Sequence, residues 1–191
     1  AEIMVVSEEP HEFYSRPGLA YLLSGEIPEK QLFPLSRAEL RDLKLKWIKS
    51  SVARMQPDAH TLALASGQSV TYDRLLLSLG STAVEPDFPI GALKGALKLD
   101  NLDDARHILQ LAKRGRTAVV VGGGITALEL VEGLRARGMQ VHYFLRGERY
   151  WSNVLDETES QIVENRLSAE GVAVHYHTQI KQVVGKQGWV V

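Results

Sequence analysis

Val119-Val120-Val121 runs directly into Gly122-Gly123-Gly124, and Ile125-Thr126-Ala127-Leu128-Glu129 follows without a break. The valines favour an extended strand, the glycines free the backbone for a turn, and the stretch from Ile125 to Arg137 reads as a helix. A further strand is expected at Gln140 to Leu145. Gly122, Gly124 and Ala127 therefore fill the three positions of GxGxx(G/A) in the strand, turn, helix and strand setting that gives the motif meaning. Gly122 permits the tight turn, Gly124 lets the backbone come close to a pyrophosphate, and Ala127 leaves room for the helix to pack on the strand. Gly123, Ile125 and Thr126 lie between them, where the start of the helix offers unpaired N–H donors and a partial positive charge to phosphates. The segment Gly122 to Ala127 is expected to hold a dinucleotide.

What ends the next strand discriminates between dinucleotides. A carboxylate there pairs with a free ribose 2'-hydroxyl, whereas an arginine accommodates a 2'-phosphate. The sequence reads Leu145-Arg146-Gly147-Glu148-Arg149, with no acid at Leu145, about 20 residues beyond the first glycine. NADP(H) is thereby favoured over NAD(H), with Arg146 as the first phosphate ligand and Arg149 as the second, since guanidinium engages phosphate in bidentate fashion. The alternative leaves both arginines as solvated loop charges and gives the ribose to Glu148.

Strands and helices alternate around this motif. Helices are predicted over 103–113, 125–137 and 156–169 and strands over 117–121, 140–145 and 172–177, which implies right-handed crossovers and a parallel sheet. Asp156, Glu157 and Glu159 read as the start of the last helix, where carboxylates cap free N–H groups. Earlier in the chain the pattern differs. Glu2 to Val6 is a short strand, Leu19 to Leu23 a helical turn stopped by Ser24-Gly25, and Ser36 and Glu39 have capping-box spacing. From Lys46 to Leu77, short apolar runs separated by turn formers read as an antiparallel meander. Pro86, Pro89, Gly91 and Gly95 punctuate the best domain boundary, dividing the chain into residues 1–96 and 97–191. The tail, 180–184 and 189–191, resembles a hairpin.

Composition narrows the classes of function. Twenty-two Lys+Arg against 23 Asp+Glu leave a formal net charge of -1, so no overall field draws the chain to nucleic acid or anionic lipid. Cysteine is absent, which excludes disulfides, a CxxC redox pair and a thiol nucleophile within this sequence. Redox chemistry would belong to a bound cofactor. The six histidines show no metal-ligand spacing, so no metal is expected. The longest apolar runs fall far short of the ~20 residues that cross a bilayer. No charged-then-apolar leader opens the chain, which fits a cytoplasmic protein. Ala1 stands where an initiator methionine would, as expected of an internal fragment.

Several segments carry a family likeness. Tyr72-Asp73-Arg74-Leu75-Leu76-Leu77-Ser78-Leu79-Gly80-Ser81 is similar to a YDxLLxATGS segment, with Ser78 and Leu79 in place of Ala-Thr. Asn101-Leu102-Asp103-Asp104-Ala105 resembles the opening of a nucleotide domain, Gly122 to Glu129 resembles GGGxxGLE, and Asp156-Glu157, Leu167 and Gly171-Val172 keep the spacing that follows. Together they resemble the FAD-dependent pyridine nucleotide-disulfide oxidoreductases, over nearly the whole chain. Glu8-Glu9-Pro10-His11-Glu12-Phe13-Tyr14-Ser15-Arg16-Pro17 is similar to a stretch of the ferredoxin, rubredoxin and nitrite reductase branch. The related NADH oxidases and peroxidases carry a redox cysteine about where Arg16 stands, and Tyr21 occupies a place where the ferredoxin reductase branch often has lysine.

The resemblance implies an α/β fold. It comprises a Rossmann-like three-layer dinucleotide-binding domain with a parallel sheet, plus a truncated FAD-type domain containing the antiparallel meander and lacking its first strand and its own GxGxxG. It also implies FAD and NAD(P)H as cofactors, with hydride passed from NAD(P)H to FAD and electrons then passed singly to an iron-sulfur or similar carrier. Glu8 would hold the FAD adenosine ribose, Arg16 and Pro17 would lie near the flavin or its pyrophosphate, Gly80 would mark the exit from the FAD domain, and Glu129 would orient the nicotinamide. The fragment alone is expected to bind FAD weakly or not at all and to be inactive. Monomer and homodimer both stay open, no general acid or base is assigned, and the alternative function is a dinucleotide-sensing module without turnover.

Overall fold

The computed structural model describes residues 2–84, 86, 88–90 and 93–191, so Ala1 and the boundary residue Gly91 lie outside the described residues. Two compact units form, Ala1–Ser15 with Phe33–Ser81, and Arg16–Leu32 with Thr82–Val191.

In the first unit, β1 (Met4–Ser7) pairs in parallel with β2 (Lys46–Lys49), Val5 opposite Trp47. Between them α2 (Arg37–Asp42) begins at a complete capping box, in which Ser36 Oγ accepts from the Glu39 N–H and the Glu39 carboxylate accepts from the Ser36 N–H. The antiparallel meander is β3 (Val52–Gln56), β4 (Thr61–Leu64) and β5 (Ser69–Thr71). It is shorter than expected at both ends. Trp47 and Ile48 belong to the parallel pair, and Leu75 to Leu77 form no strand, with Leu76 and Leu77 exposed.

The second unit is built on a parallel sheet of β6 (Thr117–Val121), β7 (Gln140–Phe144) and β8 (Ala173–His175), in that order. Strands pair in register, Val120 opposite Tyr143 and Val174 beside it. The crossovers are α4 (Ile125–Ala136) and α5 (Glu157–Ala169), the latter capped by Asp156 with Glu159 as its reciprocal partner. Ala127, Val131 and Leu134 of α4 are buried, as are Val120, Val141 and Tyr143 of the sheet it packs on. Two more helices, α1 (Gly18–Ser24) and α3 (Leu102–Leu111), join this unit because α1 packs on both α3 and α4. Gly25 stops α1 in a left-handed C-cap. The tail hairpin is reduced to β9 (Gly185–Lys186) and β10 (Trp189–Val190), and 180–184 form no strand. Among the described residues no helix is long and apolar enough to cross a membrane.

Gly133 fixes how closely α1 and α4 approach. A Cβ built there falls 2.8 Å from Leu23 Cβ and 3.2 Å from the Leu23 carbonyl carbon. Alanine would gain about 1 kcal/mol of helix propensity, but overpacking costs ~1–3 kcal/mol, and backbone on the far side cannot give way cheaply. Gly133→Ala is therefore expected to lower the denaturation midpoint, with a net loss of up to about 2 kcal/mol in urea unfolding.

Candidate functional site

The carboxyl ends of β6 and β7 meet where the Gly122 N–H reaches the Phe144 carbonyl at 3.4 Å. Gly122 has φ +144°, and a Cβ there would lie 3.1 Å from Ala127 Cβ. The turn thus requires glycine at its first position, and the small side chain of Ala127 is what lets α4 rise so close to β6. Gly124 is the N-cap of α4, with extended backbone and no side-chain cap, and the first turn carries no acid. The first intrahelical bond runs from the Leu128 N–H to the Gly124 carbonyl, 3.3 Å. The N–H groups of Ile125, Thr126 and Ala127 consequently have no acceptor in the helix. Added Cβ atoms at Gly123 or Gly124 would meet nothing within 4 Å, so the turn presents bare backbone to open space. This is the shape and polarity that suit a phosphate.

Glu129 sits half-buried one turn further along α4. Burial first, and the neighbouring Glu132 carboxylate second, push its carboxyl above the usual carboxylate range. Beneath α4 the Tyr143 and Tyr150 hydroxyls are buried without a hydrogen-bond partner among the described residues. Burial raises both phenols, and Glu132 and Glu129 add to the effect at Tyr150.

The loop after β7 divides its two arginines between different tasks. Leu145 is buried and anchored on both sides, its N–H to the His175 carbonyl and its carbonyl to the Thr178 N–H, each at 2.9 Å. Arg146 follows it into solvent, exposed beside Gly147 and Glu148. Arg149 turns inward. Its Nη1 donates to the Leu155 carbonyl and to Ser160 Oγ (2.9 Å), and its Nη2 donates to the Ser152 carbonyl. Ser160, almost fully buried, passes its own proton to the Tyr150 carbonyl at 2.8 Å, and Glu164 accepts from the Tyr150 N–H at 2.7 Å. Arg149 thus ties its loop to the start of α5. Sequence spacing placed two arginines beyond β7 but gave no sign of the carbonyls waiting for the second.

In the first unit a cleft of about 410 Å³ is lined by Ser7, Glu9, His11, Trp47, Ile48 and Lys49 among others. Glu8 is exposed and does not line it, whereas Glu9 does, with its carboxylate accepting from the Tyr14 hydroxyl at 2.5 Å. Gly80 lies exposed in the same unit with φ +66°. Arg16 and Pro17 belong to the second unit. Pro17 is the N-cap of α1, and Arg16 donates through Nη1 to the Asp100 carbonyl. Among the described residues no group of three or more His, Asp or Glu is placed to hold a metal ion.

The family model for pyridine nucleotide-disulphide oxidoreductase matches residues 1–191. The large subunit of nitrite reductase [NAD(P)H] from Klebsiella oxytoca is 28% identical over 188 residues, covering 95% of this chain and 19% of that protein. The ferredoxin–NAD(+) reductase component of a 3-phenylpropionate/cinnamic acid dioxygenase from Photorhabdus laumondii is 28% identical over 183 residues, covering 94% of this chain and 46% of that one. The crystal structure of a ferredoxin reductase from Rhodopseudomonas palustris superposes with a TM-score of 0.89 at 27% identity, over 99% of this chain and 47% of that structure. The chain spans less than half the length of these relatives. It belongs to the pyridine nucleotide-disulphide oxidoreductase family.

Proposed function

We propose that the chain supplies the NAD(P)H-binding part, residues 97–191, and a portion of the FAD-binding part, residues 1–96, of a flavoprotein oxidoreductase. The observation that carries this reading is the uncapped, acid-free N-terminus of α4 behind bare glycine backbone. The residues present fit a dinucleotide: there is open space over Gly123 and Gly124, and three free N–H groups follow in the first turn. Ile125, Thr126 and Ala127 would bind the pyrophosphate, and Glu129 would orient the nicotinamide toward the flavin. In the first unit the cleft beside Glu9 suits the adenosine end of FAD, where Glu8 would hold the ribose as the resemblance implies, with Glu9 as the alternative. Arg16 and Pro17 would lie near the flavin or its pyrophosphate, and Gly80 would mark the exit from the FAD-binding part. FAD, when bound, would supply the redox chemistry between the nicotinamide and an iron-sulfur carrier. Relatives named as ferredoxin and rubredoxin reductases favour such a carrier. The chain itself contributes alignment and electrostatics.

NADPH is the favoured coenzyme because Arg146 is the solvent-facing cation at the end of β7 and Leu145 leaves no acid there. A second reading rests on Glu148, exposed two residues on, as a ribose ligand for NADH. Several relatives are named for NAD(+) and the nitrite reductases for NAD(P)H. Titrating the chain with each coenzyme separates the two. A hydrogen bond to a charged group contributes ~1.5–3 kcal/mol, so Arg146→Ala is expected to weaken NADPH about 10- to 100-fold and leave NADH unchanged. Equal affinities that ignore the substitution would reject the phosphate role of Arg146.

A further inference from the structure

At the opposite end of the sheet lies a groove of about 420 Å³ lined by Arg114, Arg135, Ala136, Arg137 and Gly138. Three features set it apart from an ordinary charged face. The first is how the segments are brought together. The Gly115 N–H donates to the Gly138 carbonyl at 3.0 Å and the Gln140 N–H to the Arg116 carbonyl at 2.8 Å, which lays the loop before β6 across the turn after α4. The stem of Arg114 covers Gly138, where a Cβ would meet it at 3.0 Å.

The second is rigidity. Arg135 is held by the Glu170 carbonyl (2.9 Å) and the Met139 carbonyl (2.6 Å), and Arg137 by the Leu23 carbonyl (2.6 Å) and the Leu22 carbonyl (2.9 Å). The acceptors of Arg137 are last-turn carbonyls of α1, whose partial negative charge offsets part of the guanidinium charge without neutralising it, and each arginine keeps N–H donors to spare.

The third is uncompensated charge. Glu170 spends its carboxylate on Arg166 at 2.6 Å, and Glu26, near the α1 end of the groove, accepts from Ser24 Oγ. Among the described residues no carboxylate pairs with Arg114, Arg135 or Arg137, and Lys113 and Arg116 flank them on the loop. In a chain with net charge -1, such a cluster raises its own electrostatic energy and is relieved by an anion. The groove is open, and planar guanidinium forks suit phosphate oxygens.

We propose that this groove binds a small phosphate-class polyanion, a di- or triphosphate group, at a site separate from the glycine turn. The five residues of β6 rise about 16 Å between the two ends, so one pyrophosphate cannot serve both. The groove thereby gives the unit a second anion site, open to an effector that is not the hydride donor.

The test is calorimetric titration of the full chain with inorganic pyrophosphate at physiological salt, with NADPH held saturating so that the glycine turn is occupied. One saturable site is expected, weakened at least tenfold by Arg114→Glu and several-fold by Arg114→Ala, with NADPH affinity unchanged in both variants. Arg114 is exposed and, among the described residues, makes no side-chain hydrogen bond or ion pair, but its stem lies on Gly138, so the thermal midpoint is measured to check that both variants stay folded. Three outcomes overturn the proposal: no saturable binding, pyrophosphate binding indifferent to Arg114, or binding of polyglutamate but not of pyrophosphate, which would make the groove a protein-docking face. Loss of NADPH binding by the unsubstituted chain, with pyrophosphate still bound in an Arg114-dependent way, would instead count against the function proposed above and leave the groove standing.

Discussion

Gly124→Val is expected to weaken NADPH binding by at least 100-fold while leaving the protein folded. The backbone of Gly124 is extended, at φ -110° and ψ -176°, a conformation any residue adopts, and a Cβ there meets nothing. Valine is a poorer N-cap than glycine, so the substitution costs the fold about 1 kcal/mol and leaves it intact. Its methyl groups, however, occupy the space through which phosphate oxygens must reach the N–H groups of α4. Losing one or two hydrogen bonds to a charged group removes ~3 kcal/mol, which is about 100-fold in affinity. Gly122→Ala provides the contrast. With φ +144° and only 3.1 Å to Ala127 Cβ, that substitution strains the turn itself, so stability falls together with binding. Thermal unfolding and fluorescence titration on the two variants separate a ligand-approach glycine from a conformational one.

The second large effect is at Glu129, where stability and function should move in opposite directions. Its folded pKa is raised above 4.5, by burial first and then by Glu132. A raised carboxyl makes no demand on the fold below the unfolded pKa, where it is neutral in both states. As pH rises through the folded value, the unfolded chain ionises more readily and stability is lost. Glu129→Gln is therefore expected to unfold at a higher temperature than the unsubstituted chain at pH 7, with the difference vanishing below about pH 4. In a full-length, FAD-loaded flavoprotein that carries this chain, the same variant's flavin should be reduced by NADPH about 10- to 100-fold more slowly, because a misplaced nicotinamide costs rate on that scale. A stability gain with unchanged reduction rate would leave Glu129 as a poorly solvated helix carboxylate and nothing more.

Particular residues show what the sequence could and could not reveal. The strand, turn and helix around Gly122 were legible because each depends on local chemistry: β-branched valines, glycine freedom and 3.6-residue spacing act within a dozen residues. The capping boxes at Ser36 and Asp156 were legible for the same reason, since both partners lie three residues apart. Pairing across distance was not. Trp47 and Ile48 look the same whether they pair with the meander or, as they do, with β1 some forty residues earlier. Leu75 to Leu77 has the composition of a strand but pairs with no strand among the described residues, and two of its leucines stay exposed. Adjacent like residues were also ambiguous. Only the cleft distinguishes Glu9 from Glu8, and only the carbonyls of Ser152 and Leu155, with Ser160, distinguish Arg149 from Arg146. The arginine groove was invisible for both reasons, being assembled from Arg114, Arg135 and Arg137 by backbone bonds that no periodicity encodes.

The account rests on diphosphate capture by the first turn of α4, and amide-resolved NMR during titration with NADPH reads that turn directly. The N–H signals of Gly123 to Ala127 are expected to show the largest shifts in the chain, saturating together with one dissociation constant, with the Arg146 amide following them. If those five signals stay fixed while NADPH binds elsewhere, or if none moves at millimolar coenzyme, the glycine turn is a structural corner and the functional assignment built on it is wrong.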